Sequence, residues 1–286
     1  EDGEGGANII SLNPDLLVAG GVIDASNLVI STVTDETSGL RVYFDHIAAG
    51  DITGDGVNEV CFVDINDSDS GDILCARGGS NLIGDFAITD DGLEGQPYIR
   101  LQGEYFGDGV GVPLHIQDLD GDGYGELVIG DMYFDNGHSN AGRVVVLSGQ
   151  KLAAINWDTF SGAIELSTAG MSPYEGIEIN GMETDQSLPK YLAGYTDDLC
   201  GFTGFSASTS FGDVYHIASA TLYSSGTSFD LSTVEYDDGD PADDYGDSVA
   251  FGNVDGKGAV DMVVALPGYN GGQGAVQVFL GELYSK

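Results

Sequence analysis

The sequence predicts an all-β protein built as a β-propeller of four-stranded antiparallel blades, and three observations carry the prediction. Glycine occurs 45 times, mostly between short β-branched or apolar runs, and no long helical periodicity is visible. A unit of apolar strand, loop and second apolar strand recurs along the chain. Its strands read almost continuously apolar, as in "LVIG", "VVVL" and "MVVAL", which suits strands covered on both faces better than the alternation of a two-sheet sandwich.

The strands this predicts are Leu16–Ala19, Asn27–Ser31, Leu40–Phe44, Val60–Val63, Ile73–Ala76 and Leu127–Ile129 in the first half. Val144–Leu147, Ile177–Ile179, Tyr191–Ala193, Tyr215–Ala218, Val263–Ala265 and Val276–Leu280 follow. The segment Gln150–Asn156 fits either a short helix or a turn and strand.

Five anchors mark the repeat: "DLLVAG" (Asp15–Gly20), "EVCFVD" (Glu59–Asp64), "ELVIGD" (Glu126–Asp131), "KYLAGY" (Lys190–Tyr195) and "DMVVAL" (Asp261–Leu266). Their starts lie 44, 67, 64 and 71 residues apart, and three lead into a second strand through "GDILCARGG", "AGRVVVLSG" and "GAVQVFLG". Radially packed blades need such a unit and leave only short, protected edges. A solenoid is the competing layout, but its repeats are normally shorter and more regular. Five blades are visible in one domain, 1–286, with room in the long gaps for a sixth or seventh. The last unit ends after its third strand. An N-terminal strand near Asn8–Leu12 is therefore expected to complete that blade and close the ring, or to complete a neighbouring molecule in a polymer.

Between the first and second strands of the blades the sequence places oxygen-rich loops. In "DITGDGVNE" Asp51, Thr53, Asp55 and Glu59 stand at positions one, three, five and nine, with the Val57 carbonyl at seven. In "DLDGDGYGE" the same positions are Asp118, Asp120, Asp122 and Glu126, with the Tyr124 carbonyl at seven. The intervening glycines let the backbone curl so that side chains two apart converge. Hard oxygen donors in this number suit Ca2+, whereas Mg2+ demands stricter octahedral placement. An EF-hand would need a bidentate Glu at position twelve, but that position is Phe62 or Ile129, within a strand. The competing reading is a set of Asx turns capped by their own carboxylates. A third loop, "NVDGKGAVD", keeps Asn253, Asp255 and Asp261 as a weak metal set. Lys257 stands at its fifth position, where its ammonium can replace an ion or point away. "METDQSLPK" (Met182–Lys190) has lost the pattern. Converging carboxylates repel without a cation, so ion binding must couple to folding of the loop, a structural role rather than a Lewis-acid one.

Forty-seven acidic residues against eight basic ones give a formal charge of -39, with 42% apolar residues to fold on. Nucleic acid and anionic membrane are thereby poor partners, and cations good ones. A halophilic, marine or acidic habitat suits such a surface, which equally serves as a solubility device. No stretch approaches the roughly 20 apolar residues of a membrane span, and "EDGEGGANII" has no signal-like character. Cys61 and Cys75 fall in consecutive strands of one hairpin and fit either a disulfide or two buried thiols. Cys200 is then a free thiol, and "NDS" makes Asn66 a glycosylation acceptor.

The stretch "FGDGVGVPLHIQDLDGDGYGELVIGD…NAGRVVVLSG" (Phe106–Gly149) resembles the FG-GAP repeat of integrin alpha-subunit β-propellers, and Tyr245–Gly281 is similar. The resemblance is good over Asp51–Gly79 and degenerate elsewhere. It implies calcium on blade loops at one rim, with Asp51, Thr53, Asp55, Glu59, Asp118, Asp120, Asp122 and Glu126 as ligands. It also implies an extracellular location and an adhesive or scaffolding role. Lys257, the lost loop near Met182 and the short chain depart from the family, and no Arg-Gly-Asp is present.

No catalytic set emerges. His46, His115 and His216 fall in strand-like runs as structural histidines, while His138, beside Asp135 and Asn136 on a loop, is the one suited to a polar site. No G-x-S-x-G elbow or zinc spacing is present. The expectation is a non-enzymatic, extracellular, calcium-stabilised structural or adhesive module, with a protein or glycan at the cell surface as partner or a filament made through its N-terminal strand. The alternative is a secreted enzyme or lectin acting on polysaccharide.

Overall fold

A computed structural model describes residues 6–10, 29–35, 41–65, 71–79, 84–89, 92–104, 109–197 and 202–281. In chain order the first strands are β1 (Gly6–Ile10), β2 (Val29–Asp35), β3 (Arg41–Gly50), β4 (Glu59–Ile65), β5 (Asp72–Ala76), β6 (Gly84–Thr89), β7 (Gly92–Leu93) and β8 (Tyr98–Gln102). Next come β9 (Val110–Gln117), β10 (Glu126–Asp131), β11 (Arg143–Leu147), β12 (Ile164–Glu165) and β13 (Ile177–Asn180). The last are β14 (Leu192–Asp197), β15 (Phe202–Ser208), β16 (Asp213–Ala218), β17 (Ser228–Asp230), β18 (Glu235–Asp238), β19 (Val249–Gly252), β20 (Asp261–Leu266) and β21 (Ala275–Phe279). Among the helices are α1 (Gly149–Ala153), capped by Ser148, and α2 (Thr168–Met171) and α3 (Ser219–Ser224).

These strands form five sheets, ordered β1-β2-β6-β7, β12-β8-β5-β4-β3, β17-β13-β11-β10-β9, β14-β15-β16-β18 and β19-β20-β21. Apolar layers lie between neighbours in the row. In β10 and β11, Leu127, Ile129, Val145 and Leu147 face one core, shared with Cys61, Ile73 and Leu101 of the preceding sheet. Val128, Val144 and Val146 face the other, shared with Phe205, Tyr215 and Ile217. Burial on both faces is the physical reason these strands have no polar alternation. A third layer joins Val214 and Tyr245 to Met262 and Val264.

The arrangement corrects the expected propeller of uniform antiparallel blades. Only β14-β15-β16-β18 has that form; three sheets are mixed, because β6 pairs parallel with β2, β12 with β8 and β17 with β13. The three cases follow one rule. The segment between the third and fourth strands of a sheet reaches back and adds a parallel strand to the sheet before it. Long insertions between anchors supply these strands, and β12 and β17, two and three residues long, are too short to show in the sequence.

The sheets also form an open row rather than a closed ring. First strands adjoin in succession, β3 with β9, β9 with β14 and β14 with β19, and among the described elements no extended contact joins the last sheet to the first. The N-terminal strand does not complete the last sheet: β1 pairs antiparallel with β2. Accordingly β21 leaves Val276 65% and Val278 45% exposed, while its counterparts β5 and β11 are buried throughout. The anchor Lys190–Tyr195 is out of phase too, since β14 is the first strand of its sheet and not the second. The anchor Asp15–Gly20, Leu16–Ala19, Asn66 and Cys200 lie outside the described residues.

Cys61 and Cys75 are bonded, directly opposite one another on β4 and β5. The one buried base among the described residues, Arg143, donates to Asp131 at 2.8 Å and to the Leu166 carbonyl at 2.9 Å, and lies over the Phe134 ring. No helix among the described residues is long and apolar enough to cross a membrane.

Candidate metal centre

Three loops join the first and second strands of their sheets: 51–58 before β4, 118–125 before β10 and 253–260 before β20. All three turn on paired left-handed glycines, Gly54 and Gly56, Gly121 and Gly123, Gly256 and Gly258, with φ between 68° and 97°. That conformation is open to glycine at little cost.

Loop two gathers the carboxylates. One oxygen each from Asp118, Asp120 and Glu126 lies within 4.8 Å of the others, a spacing compatible with oxygens around one divalent ion at roughly 2.3–2.6 Å each. Asp122 is outside this group; it accepts from the Tyr124 N–H at 2.9 Å and so ties the seventh residue to the fifth. Asp118 accepts from Gly121 and Gly123 at 2.7 and 3.0 Å, and Asp120 from Asp122 at 3.0 Å. The Asx-turn bonds and the convergence therefore coexist. Each of these carboxylates keeps lone pairs beyond its turn bonds.

The ninth residue has a part that the spacing alone does not disclose. Glu126 is buried at the root of the loop and accepts from Leu119 N–H at 2.7 Å and Gly149 N–H at 3.3 Å. Glu59 repeats this with Thr53 and Gly78, and Asp261 with Val254, Asp255 and Gly281. Each carboxylate thus ties its loop to the glycine that follows the third strand. A Cβ on Gly78, Gly149 or Gly281 would sit 2.1, 2.4 or 2.2 Å from the carbonyl oxygen before the ninth residue, so only glycine fits. The signal was in the sequence, because "GDILCARGG", "AGRVVVLSG" and "GAVQVFLG" all end in glycine.

Charge differs among the loops. Burial, with Asp120 and Asp122 nearby, pushes the Glu126 carboxyl up to about 7 against the bonds that lower it. Burial likewise raises Glu59. In loop one, Thr53 replaces the third-position carboxylate and donates to Glu59 at 3.3 Å, Val57 N–H donates to Asp55, and Arg77 stands 3.5 Å from Asp55. Asp51 accepts from Asp55 and Gly56 N–H groups. In loop three, Lys257 lies 3.0 Å from Asp255. There the Gly281 N–H first, and Lys257 among the further causes, holds Asp261 below the usual carboxylate range. Asn253 is exposed.

Loops one and two touch. Gly125 N–H donates to the Asp51 carbonyl at 2.6 Å, and Gly54 packs beneath the Tyr124 ring. In Met182–Lys190 no such loop forms: the buried Gln186 amide oxygen accepts from Met182 and Glu183.

His115 bonds Gln117 at 3.1 Å. Ser206, His216 and Asp237 line up across β15, β16 and β18, at 2.7 Å and 3.1 Å. Ser206 is only 1% exposed, so the succession is a cross-strand ladder whose hydroxyl meets no solvent. A scan against family models finds no match for the chain, and no curated protein matches it in sequence.

Proposed function

We propose that the chain is a non-enzymatic structural module whose sheets are held by calcium, and that it works outside the cell. The observation that carries the reading is the convergence of Asp118, Asp120 and Glu126 at the entry to β10, a strand buried on both faces. A cation there offsets the repulsion among the carboxylates and the burial of Glu126. It thereby ties loop two to β10 and to the turn after β11. Calcium fits better than magnesium because it accepts irregular coordination by the oxygens of a glycine turn, whereas magnesium demands near-ideal octahedral placement. The Cys61–Cys75 disulfide supports an oxidising compartment.

The test is calorimetric titration of metal-stripped protein with calcium and, separately, magnesium. Saturable calcium uptake, weaker for magnesium and smaller by the loop-two ion in an Asp118→Asn/Asp120→Asn double variant, is the expected result. Protein that takes up no calcium, or a double variant that binds as well as the parent, would sink the reading.

A further inference from the structure

A cavity of about 450 Å3 opens at the free end of β13 and β17, away from the three loops. That volume falls in the range of small-ligand sites, roughly 300–1,000 Å3. Its floor is the parallel pair β13–β17, where Asn180 stands opposite Asp230 and Ile179 opposite Phe229. One wall is the loop after β10, with Asn136 and His138, and another is the turn at Gly181 and Met182.

The walls are fixed before any ligand arrives. The 131–142 loop is laced to the 181–188 turn by backbone bonds from Gly181 to Gly142, Asp185 to Ser139, Ser187 to Asn140 and Leu188 to Ala141, all 2.8–3.0 Å. The Asn136 amide donates to the Gly181 carbonyl at 2.6 Å, which orients its side chain, and its Oδ1 is buried with no partner among the described residues. Asn180 donates to Ser228 at 3.1 Å. Asp230 accepts from the Ser232 N–H at 3.0 Å and from its hydroxyl, bonds that hold the carboxylate in place and ionised.

The lining combines a carboxylate, two carboxamides, a hydroxyl and an imidazole, while Phe229 and Met182 at its margin pack against the apolar core beneath. Amides both donate and accept, whereas a carboxylate only accepts. A ligand that matches must present several groups able to do both, as a run of hydroxyls does. Anions are disfavoured by Asp230 and by the chain's charge, and a cation would find one carboxylate among neutral groups. We infer that this cavity binds a neutral sugar unit, with Asp230, Asn180 and Ser228, which share one face of the β13–β17 pair, taking adjacent hydroxyls. The site lies beyond the cation-stabilised role and does not depend on it.

The experiment is saturation-transfer NMR on the calcium-loaded chain with glucose, galactose, mannose and N-acetylglucosamine in turn, followed by titration of those that respond. Saturable binding by at least one sugar, weakened at least tenfold in Asp230→Asn, is expected. Asp230→Asn preserves shape and keeps an acceptor for Ser232, and an unchanged melting curve verifies the fold. No saturable response from any of the four sugars, or equal affinity in parent and Asp230→Asn, overturns the inference.

Discussion

Between β9 and β10, three carboxylates converge and the described residues bring no ion pair to them; between β19 and β20, the same turn carries its own ammonium. The two loops share paired left-handed glycines, a ninth-residue carboxylate buried at the root and a glycine amide that reaches it from the end of the third strand. Their electrostatics are opposite. Glu126 is pushed up, by burial first and by Asp120 and Asp122, whereas Asp261 is held down, by Gly281 first and with help from Lys257. One turn geometry thus gathers carboxylates that could take up an ion in one loop and sets a lysine beside them in the other.

Chelation breaks that comparison most forcefully. Binding to the folded state alone adds RT ln(1 + [L]/Kd), about 4 kcal/mol when calcium stands at a thousand times its dissociation constant. Removing it is expected to lower the melting temperature by several degrees, and hydrogen exchange should locate the loss. Amides of 118–131 should lose protection, while those of 253–266 keep theirs. Equal loss in both segments would show that loop three also holds an ion.

The pH dependence of the metal-free chain comes next, on the order of 3 kcal/mol at 1.36 kcal/mol per pKa unit. Between the ordinary glutamate value of 4.5 and about 7, the folded chain keeps a proton on Glu126 that the unfolded chain has released. Stability therefore falls as pH rises through that window. Asp261 runs the other way. Its contribution is whole above 3.8, its ordinary value, and is lost as pH falls through its lower folded pKa. Urea unfolding of chelated protein from pH 4 to 8, parent against Glu126→Gln, should show a steeper slope in the parent, the variant keeping only the smaller share of groups such as Glu59. A parent curve flat over that range would contradict the burial assigned to Glu126.

Lys257→Asp removes the ammonium of loop three and gives it the fifth-position carboxylate of loop two, with Asn253 and Asp261 still standing where loop two has Asp118 and Glu126. The lysine side chain is 58% exposed and its pair with Asp255 is a surface one, so losing it costs ~1 kcal/mol or less. Native mass measurement in calcium is expected to show one more bound ion than in the parent. An unchanged ion count would mean that backbone shape, and not the lysine, separates the loops.

The strands with continuous apolar runs were legible from the sequence: β5, β10 and β11 are buried throughout, and β4 and β20 carry the same unbroken apolar pattern, β20 with only one face on a core layer. Strands β9 and β15 were not: Pro113 interrupts one, and the other, "FTGFSAS", alternates small polar residues with a few apolar ones. The parallel strands β6, β12 and β17 gain their place only through pairing with a sheet completed earlier, which no local pattern encodes. Closure failed as an expectation for a related reason. A repeat dictates the unit, whereas joining the ends depends on contacts between distant sheets, and the exposed valines of β21 show that these are not made. At the site, oxygen spacing revealed the loops and the lysine; the amide bonds from Gly78, Gly149 and Gly281 depend on how neighbouring strands return.

Loop one sits between the other two and gives the smallest expected effect. Its third position is Thr53 rather than a carboxylate, and Arg77 reaches Asp55 from outside the loop at 3.5 Å, with both side chains about two-fifths exposed (39% and 43%). Such a pair is worth less than ~1 kcal/mol and is screened by salt. Arg77→Gln removes a charge that competes with any divalent ion at Asp55, so calcium affinity at this loop should rise a few-fold at low salt and converge with the parent's in high salt. Because Gly125 donates to the Asp51 carbonyl, the gain should be read with loop two disabled by Asp118→Asn/Asp120→Asn, which leaves that backbone bond in place. An affinity that does not respond to Arg77→Gln at any ionic strength would remove loop one from the series, leaving an arginine that merely rests against an exposed turn.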